Sequence, residues 1–546
     1  MANDGGTSES GGPTGSESGR TTGTESGGTT GGTTTESVTD ERATRGEWEP
    51  IEHRFDALPV HTALLHTGKV VALGGSGNDE TRLDDPYPAE LFDPESGTVE
   101  VVDQDLAGDV FCVGHATLSD GRLLAAGGTD SYDGNISLPG LPALPLFGGL
   151  DHAYLFDPED ESWTRVENMD AGRWYPTLVT MGDGSVLCAA GLTKTFPWVT
   201  LRKIERYTPG DGWETVEGAG RWLPLYPRFH LLPDGTVFYA GSYNTHYTFP
   251  FSLKGFPTAV LDPETAEWTD YSLPNEEERE EGASMLLPLR PGDDYRPRVV
   301  LTGGGTPTGK EAIRNTEVID LGADEPTWRS VEPMTHARYY TYAVLLPTGD
   351  VFVAGGRSGS KGHVDHHFEE QAGALPSIPN AVHEAELFDP ETETWTTLDA
   401  MAVDRLYHSG ALLLPDGRVM MCGSNPARRV DELRIETYRP PYLFQGSRPT
   451  VEDVPEEVTY GETLAVETPD ATEIDEVVLV RPATATHCLT TDQRLVELPV
   501  EERTDGAVVA RVPDRPNLLP PGYYMLFALD NGVPSEAPFV RVHHGE

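Results

Sequence analysis

A glycine-containing turn between two short apolar runs recurs seven times along the chain, and no other feature limits the possible folds as strongly. The turns fall at Thr67-Gly68, Asp120-Gly121, Asp183-Gly184, Asp234-Gly235, Pro291-Gly292, Thr348-Gly349 and Asp416-Gly417. Two β-rich stretches joined by such a turn read as a hairpin. Each hairpin is followed by a variable stretch and then, in most units, a strand ending in a Phe-Asp-Pro-like turn (Asp93-Pro94, Asp157-Pro158, Asp262-Pro263, Asp389-Pro390). Often a strand carrying a tryptophan comes next: Trp163, Trp213, Trp268, Trp328 or Trp395.

A spacing of about 50–70 residues is near the kelch repeat period. Four strands per unit in seven units predict an all-β fold, a seven-bladed kelch-type β-propeller. The last unit lacks its tryptophan strand, while a spare one, Gly46-Glu47-Trp48-Glu49, precedes the first. The N-terminal strand is therefore expected to complete the seventh blade. The tryptophans themselves read as packing between blades. At Arg439-Pro440-Pro441-Tyr442-Leu443 the pattern breaks. Beyond it, alternating strands around Val477–Val480, Val508–Val512 and Tyr523–Ala528, over about 100 residues, suit an immunoglobulin-like β-sandwich. The predicted organisation is a Gly/Ser/Thr-rich acidic tail over 1–45, a propeller over 46–440 and a C-terminal sandwich over 441–546. The tail has almost no apolar residue and is expected to be disordered.

Composition narrows the partners. The chain has 89 Asp and Glu against 39 Lys and Arg, a net charge of −50, and only six lysines. Phosphate backbones would be repelled, which excludes nucleic acid. An acidic, lysine-poor surface resembles that of proteins from high-salt cytoplasms, where screening makes the charge tolerable. Four cysteines, Cys112, Cys188, Cys422 and Cys488, lack CxxC spacing and are too few for a disulfide framework. There is no apolar run of about 18 residues that would span a membrane. The N-terminus shows neither a basic nor an apolar leader segment. A cytoplasmic monomer is the expectation, with export by an unseen route as the alternative.

In a propeller the first strand of each blade lines the central channel, so equivalent positions on those strands converge. Counting eight residues back from the turns gives Cys112, Tyr175, Tyr226, Tyr340 and His408, with Tyr407 one further back. Each alone has an ordinary structural role. A strand cysteine is a small buried hydrophobe, a tyrosine packs with its hydroxyl at a rim, and a single histidine is hydrogen-bonded structure. At one register of one channel mouth, together, they point to chemistry.

These stretches resemble the radical-copper oxidases, the family of galactose oxidase and glyoxal oxidase. Asp109-Val-Phe-Cys112-Val-Gly resembles the segment with the thioether-forming cysteine, and Arg173-Trp174-Tyr175-Pro176 the segment with its tyrosine partner. Arg405-Leu406-Tyr407-His408-Ser409 resembles the segment with the axial tyrosine and first histidine ligand. Ala485-Thr486-His487-Cys488-Leu489-Thr490-Thr491-Asp492-Gln493-Arg494 resembles the segment with the second histidine ligand. The likeness runs from about Trp48 to the end of the chain.

Two imidazoles, phenolic oxygen and an open position suit tetragonal Cu(II). The resemblance implies a Cys112–Tyr175 thioether carrying a radical, with Tyr175, His408 and His487 binding copper equatorially. Tyr407 would be the axial phenolate and the general base for the substrate hydroxyl. The implied reaction oxidises small aldehydes or primary alcohols with dioxygen and releases hydrogen peroxide. Tyr226, Tyr340 and Trp174 are candidates to line the pocket. Cys488 reads, by strand alternation, as sandwich core.

Several segments look like the glyoxal oxidase branch, among them Leu225-Tyr226-Pro227, Gly423-Ser424-Asn425-Pro426 and Pro440-Pro441-Tyr442-Leu443. Galactose oxidases stack a tryptophan over the thioether. Here that position, by counting, holds Thr193, with Trp198 near but out of register, so the sugar pocket is not carried over. His363, His366 and His367, with Asp365, lie in a long insertion that reads as a solvated loop. The rival interpretation is a kelch scaffold that binds protein or glycan and keeps a vestigial metal site. A structural surface protein is a weaker third. Copper and peroxide suit an extracellular setting, which is the alternative to the cytoplasmic expectation.

Overall fold

Aspartates close the repeated turns. In the Asp-Gly turns the carboxylates of Asp120, Asp183, Asp234 and Asp416 each accept the N–H two residues on. Asp93, Asp157, Asp262 and Asp389 do the same in the Phe-Asp-Pro-like turns. This side-chain bond mimics a backbone turn and explains the choice of residue. The glycines after the first set, Gly121, Gly184, Gly235 and Gly417, have φ of 83 to 94°, which a side chain would oppose. The fifth turn departs from the pattern. Pro291–Asp293 forms a 3-10 turn and Asp294 and Tyr295 take the left-handed conformation, so the connection is longer than its counterparts.

The computed structural model describes residues 40–77, 79–82, 88–102, 106–131, 135–136, 144–145, 148–193, 200–244, 257–275, 279–305, 311–359, 378–425 and 430–545. The described secondary structure is almost entirely β. Seven small antiparallel sheets follow one another, each built on one of the repeated hairpins. Their first strands are His61–Leu64, Asp109–Thr117, Trp174–Thr180, Leu225–Leu231, Ala283–Leu286, Tyr342–Leu345 and Ser409–Leu413. In the seventh sheet the outermost strand is Glu47–Arg54, paired with Arg434–Arg439 from the other end of the repeats. Just before it, residues expected in the tail form a short helix, Arg42–Arg45.

First strands of consecutive sheets pack together from the second sheet through to the seventh, and the seventh packs on the first. Between the first and second sheets lies Thr484–Thr486, which pairs with His61–Leu64 and touches Asp109–Thr117. Tryptophans lean three of the outer strands on the preceding unit: the indole N–H groups of Trp48, Trp268 and Trp395 donate to the carbonyls of Asp399, Ala219 and Glu332. Past Pro441–Phe444 the chain forms a further sheet of Glu457–Thr459, Phe539–His543, Gly522–Asp530, Glu476–Val480 and Leu495–Leu498, and a three-stranded sheet of Thr463–Glu467, Ala507–Arg511 and Val500–Arg503. Residues from Asp40 to Glu546 form one compact unit. No described helix is long and apolar enough to cross a membrane.

Candidate functional site

The site is assembled at the starts of the first strands, where the backbone is forced into an uncommon conformation. Cys112, Tyr175, Tyr226, Tyr340 and His408 have φ of 67, 63, 44, 60 and 61°. A left-handed conformation costs a residue with a side chain about 1–2 kcal/mol, and such residues cluster where function requires them. The count of eight back from the turn therefore selects one strained position per sheet. In the fifth sheet the equivalent is Glu281, with φ 55° and buried, which the count missed because the turn there is longer. In the first sheet the count falls on Pro59, whose ring forbids positive φ. Beside that sheet stands His487, with φ 46°.

A repeated ion pair holds these strained ends. Arg173, Arg279, Arg338 and Arg405 lie two or three residues ahead of the strained position and bond to Glu205, Glu317, Glu386 and Glu436 on the third strand of the same sheet. All eight are buried. Each arginine also donates to a carbonyl near the end of the second strand: Ala190, Leu301, Gly355 and Gly423. The glutamates accept backbone N–H groups of the incoming loop, from Asp170, Asn275, Thr335 and Ala402. In the first sheet Glu90 accepts from Asp56 and Ala57 without an arginine. The signal was present in the sequence: each glutamate stands three residues before the end of its strand, in Glu90-Leu-Phe-Asp93 and its counterparts.

Residues 484–494 run among the first strands. Thr484–Thr486 and Leu489–Thr491 form a hairpin that extends the first sheet. Thr490 donates to Ala343 O, Asp492 accepts from Thr180, Gln493 accepts from Leu345 N, and Arg494 donates to Leu231 O. The segment is thus pinned to the third, fourth and sixth sheets. His487 and Cys488 form the tip of the hairpin, both left-handed. Strand alternation therefore does not govern Cys488. Its thiol approaches the Tyr342 phenol in a core shared by both regions, rather than in a sandwich core alone.

The expected residues come together. The phenol oxygens of Tyr175 and Tyr407 are 2.7 Å apart. The His487 ring lies 4.7 Å from that of Tyr175, 5.5 Å from that of Tyr407 and 4.5 Å from that of His408. His487 Nδ1 shares a hydrogen bond with Thr486 Oγ1 at 2.5 Å, and Nε2 lies 4.0 Å from Cys112 Sγ. Tyr407 stacks on His408 at 3.6 Å between centroids. Trp174 and Tyr226 edge onto Tyr175 at 4.0 and 4.5 Å, and Tyr340 lies 5.6 Å from Tyr407. Tyr226 is fully buried and donates to Val113 O, so its hydroxyl is engaged inside the protein. Tyr407 is half-buried, and is the member of this group most open to the exterior. Trp198 and His363, His366 and His367 lie outside the described residues, while Thr193 is the last residue described before 194–199.

Burial sets the protonation states. It pushes His408 down to about 3 and His487 well below the usual imidazole range, helped there by the neighbouring histidines. Both rings are neutral at pH 7. Burial likewise pushes the Tyr175 phenol and Cys112 thiol well above their usual values. His408 is completely buried, with the Asn425 side chain as its polar neighbour, and neither ring nitrogen makes a hydrogen bond of regular geometry. A neutral imidazole offers one N–H and one lone pair, and a buried lone pair that no donor or metal meets is a cost to the fold. All four cysteines are free thiols. Among the described residues, no group of three or more His, Cys, Asp and Glu side chains is arranged for a metal.

Fold and family together place this chain among the oxidoreductases. Residues 272–442 match the family model for the glyoxal oxidase N-terminus, and 448–542 that for the galactose oxidase-like early set domain. The chain is similar to an aldehyde oxidase GLOX of Vitis pseudoreticulata, 29% identical over 91% of this chain and 97% of that one. It is similar to a galactose oxidase of Gibberella zeae, 27% identical over 93% of this chain and 72% of the relative. Its fold resembles a copper complex of a fungal alcohol oxidase of the AA5 family, with a TM-score of 0.73 and 22% identity, covering 91% of this chain and all of that one. The chain belongs to the radical-copper oxidase family of galactose and glyoxal oxidases.

Proposed function

We propose that this protein is a copper-radical oxidase that converts small aldehydes or primary alcohols with dioxygen, giving the acid or aldehyde and hydrogen peroxide. The reading is glyoxal-oxidase-like rather than galactose-specific. The observation that carries it is His408: a completely buried, neutral imidazole with no hydrogen bond of regular geometry and Asn425 beside it, set 4.5 Å from a second neutral imidazole and stacked on a phenol. That donor set fits Cu(II). The residues proposed to hold the metal are Tyr175, Tyr407, His408 through a ring nitrogen, and His487 through Nε2, since its Nδ1 is occupied by Thr486.

Bound copper would take one electron of the two-electron oxidation, and the Cys112–Tyr175 unit the other. Tyr407, half-buried at the edge of the cluster, would receive the substrate hydroxyl proton. Tyr175, linked to Cys112, would take the hydrogen atom from the substrate carbon. Trp174 against Tyr175 and Tyr340 against Tyr407 would shield those rings from water. The seven sheets are proposed to be the blades of a closed propeller, supported by the serial packing of their first strands and by the 484–486 strand between the second and first. The C-terminal region is proposed to be a sandwich whose extension delivers His487.

The test is a peroxide-coupled assay of copper-loaded protein in high salt against small aldehydes, primary alcohols, diols and sugars. Peroxide release is expected with aldehydes or short alcohols, and little with galactose. Tight copper binding without peroxide from any of them would contradict the proposal.

A further inference from the structure

Behind the Cys112 segment lies a pair of histidines that the proposed reaction does not use. His61 is on the first strand of the first sheet and His115 on that of the second, and both are buried. The Cys112 N–H donates to His61 Nε2 at 3.0 Å. Nε2 must then carry the lone pair, and the His61 proton sits on Nδ1. Nδ1 lies 3.2 Å from His115 Nε2, which accepts in turn. The proton of His115 is therefore on its own Nδ1. Burial drives both rings below the usual imidazole range, His115 to about 4, which agrees with two neutral tautomers in series. Both Nε2 lone pairs are taken by N–H donors, so the pair is not arranged as a second metal site.

His61 also touches the other side of the centre. It pairs across the strands with Thr486, whose hydroxyl bonds His487 Nδ1, and the rings of His61 and His487 are 5.9 Å apart. One imidazole thus joins the segment that carries the thiol to the segment that carries a proposed ligand.

We propose that His61, its tautomer fixed by His115, is a positioning residue for the Cys112–Tyr175 cross-link, holding the left-handed Cys112 backbone so that the thiol faces the Tyr175 ring. The proposal rests on the oxidase reading. In forming the link, one S–C bond is made while the S–H bond and a ring C–H bond break. Two electrons and two protons pass to dioxygen, in the presence of copper, and leave as hydrogen peroxide. His61 takes no part in that balance. It sets how often the sulfur stands in place.

The experiment loads metal-free full-length protein with copper in air and follows the linked fraction by the mass loss of two hydrogens and by the Cys112–Tyr175 peptide. Copper content is measured in parallel. His61→Leu removes the acceptor and is expected to slow linking about tenfold, the scale of one buried hydrogen bond, with copper still bound. His61→Gln carries an oxygen near the Nε2 position and is expected to link at close to the unaltered rate. His115 makes no hydrogen bond to Cys112, yet His115→Leu frees the His61 tautomer and is expected to slow linking too. Equal rates in all variants, or His61→Gln as slow as His61→Leu, would overturn the proposal. Should His61→Leu fail to fold, His61→Gln and His115→Leu decide the matter by the same comparison. If the unaltered protein binds copper and never links, the oxidase reading falls and this proposal with it.

Discussion

The hydroxyl oxygens of Tyr175 and Tyr407 sit 2.7 Å apart although 232 residues separate them in the chain. Tyr175 is the second residue of the first strand of the third sheet, and Tyr407 lies two residues before that of the seventh. Both depend on an arginine–glutamate clamp within their own sheet, Arg173 with Glu205 and Arg405 with Glu436.

Replacing Tyr407 by Phe keeps the stacking on His408 and removes only the hydroxyl. If that oxygen is the general base, peroxide production per bound copper should fall about 100- to 10,000-fold, while Tyr175, His408 and His487 still hold copper, more weakly, and the melting temperature changes little. A peroxide-coupled rate normalised to bound copper checks this.

The two histidines should not respond alike to changes around them. His487→Ala is expected to abolish stoichiometric copper binding. Thr486→Val keeps the ring but removes the group that orients Nδ1, and should weaken copper binding by about 10- to 100-fold. Competition against a chromogenic chelator measures both. Unchanged affinity in His487→Ala would remove His487 from the metal.

Breaking one clamp should be costly because it leaves a buried charge uncompensated. Glu436→Gln is expected to destabilise the fold by about 3–5 kcal/mol, read from the midpoint of denaturant unfolding at constant salt. The mutated side chain would also lose its hold on the loop carrying Tyr407, so activity should fall further than stability.

How much of this was legible in the chain differs by residue. The register count gathered Cys112, Tyr175, Tyr226, Tyr340 and His408 because turn glycines mark the same point in each hairpin. It failed for Glu281, where the 3-10 turn at Pro291–Asp293 lengthens the connection. It also failed to foresee that the first sheet leaves its place to His487, since pairing between His61–Leu64 and Thr484–Thr486 spans the whole chain and leaves no local trace. The arginine–glutamate clamps could have been read from their regular offsets. An arginine in a connecting loop, however, looks like any surface charge until burial is known. His61 and His115 were invisible for the same reason, as only tertiary packing brings one beneath the other.

A pH effect on stability follows from His383, whose Nε2 lies 2.6 Å from Asp404 Oδ1. The Asp404 hydrogen bond raises His383 above the usual imidazole value, and hydrogen bonds from His383 and Ile378 lower Asp404 against its burial. For His383 the contribution is complete below about pH 6.5 and is lost as pH rises through its folded value. For Asp404 it is present above about pH 4 and is lost as pH falls through its folded value. The pair should therefore stabilise most between about pH 4 and 6.5. Because the His383 side chain is 38% exposed, the effect should not exceed about 1 kcal/mol. His383→Gln is expected to flatten the loss of stability above pH 6.5, measured by unfolding midpoints across pH.

Peptide mapping of the copper-loaded, air-exposed protein addresses the central claim most directly. The account predicts an intact mass lower by two hydrogens and a single linked pair of peptides, one containing Cys112 and the other Tyr175. Recovery of both peptides unlinked, from protein that has bound copper and met dioxygen, would contradict it.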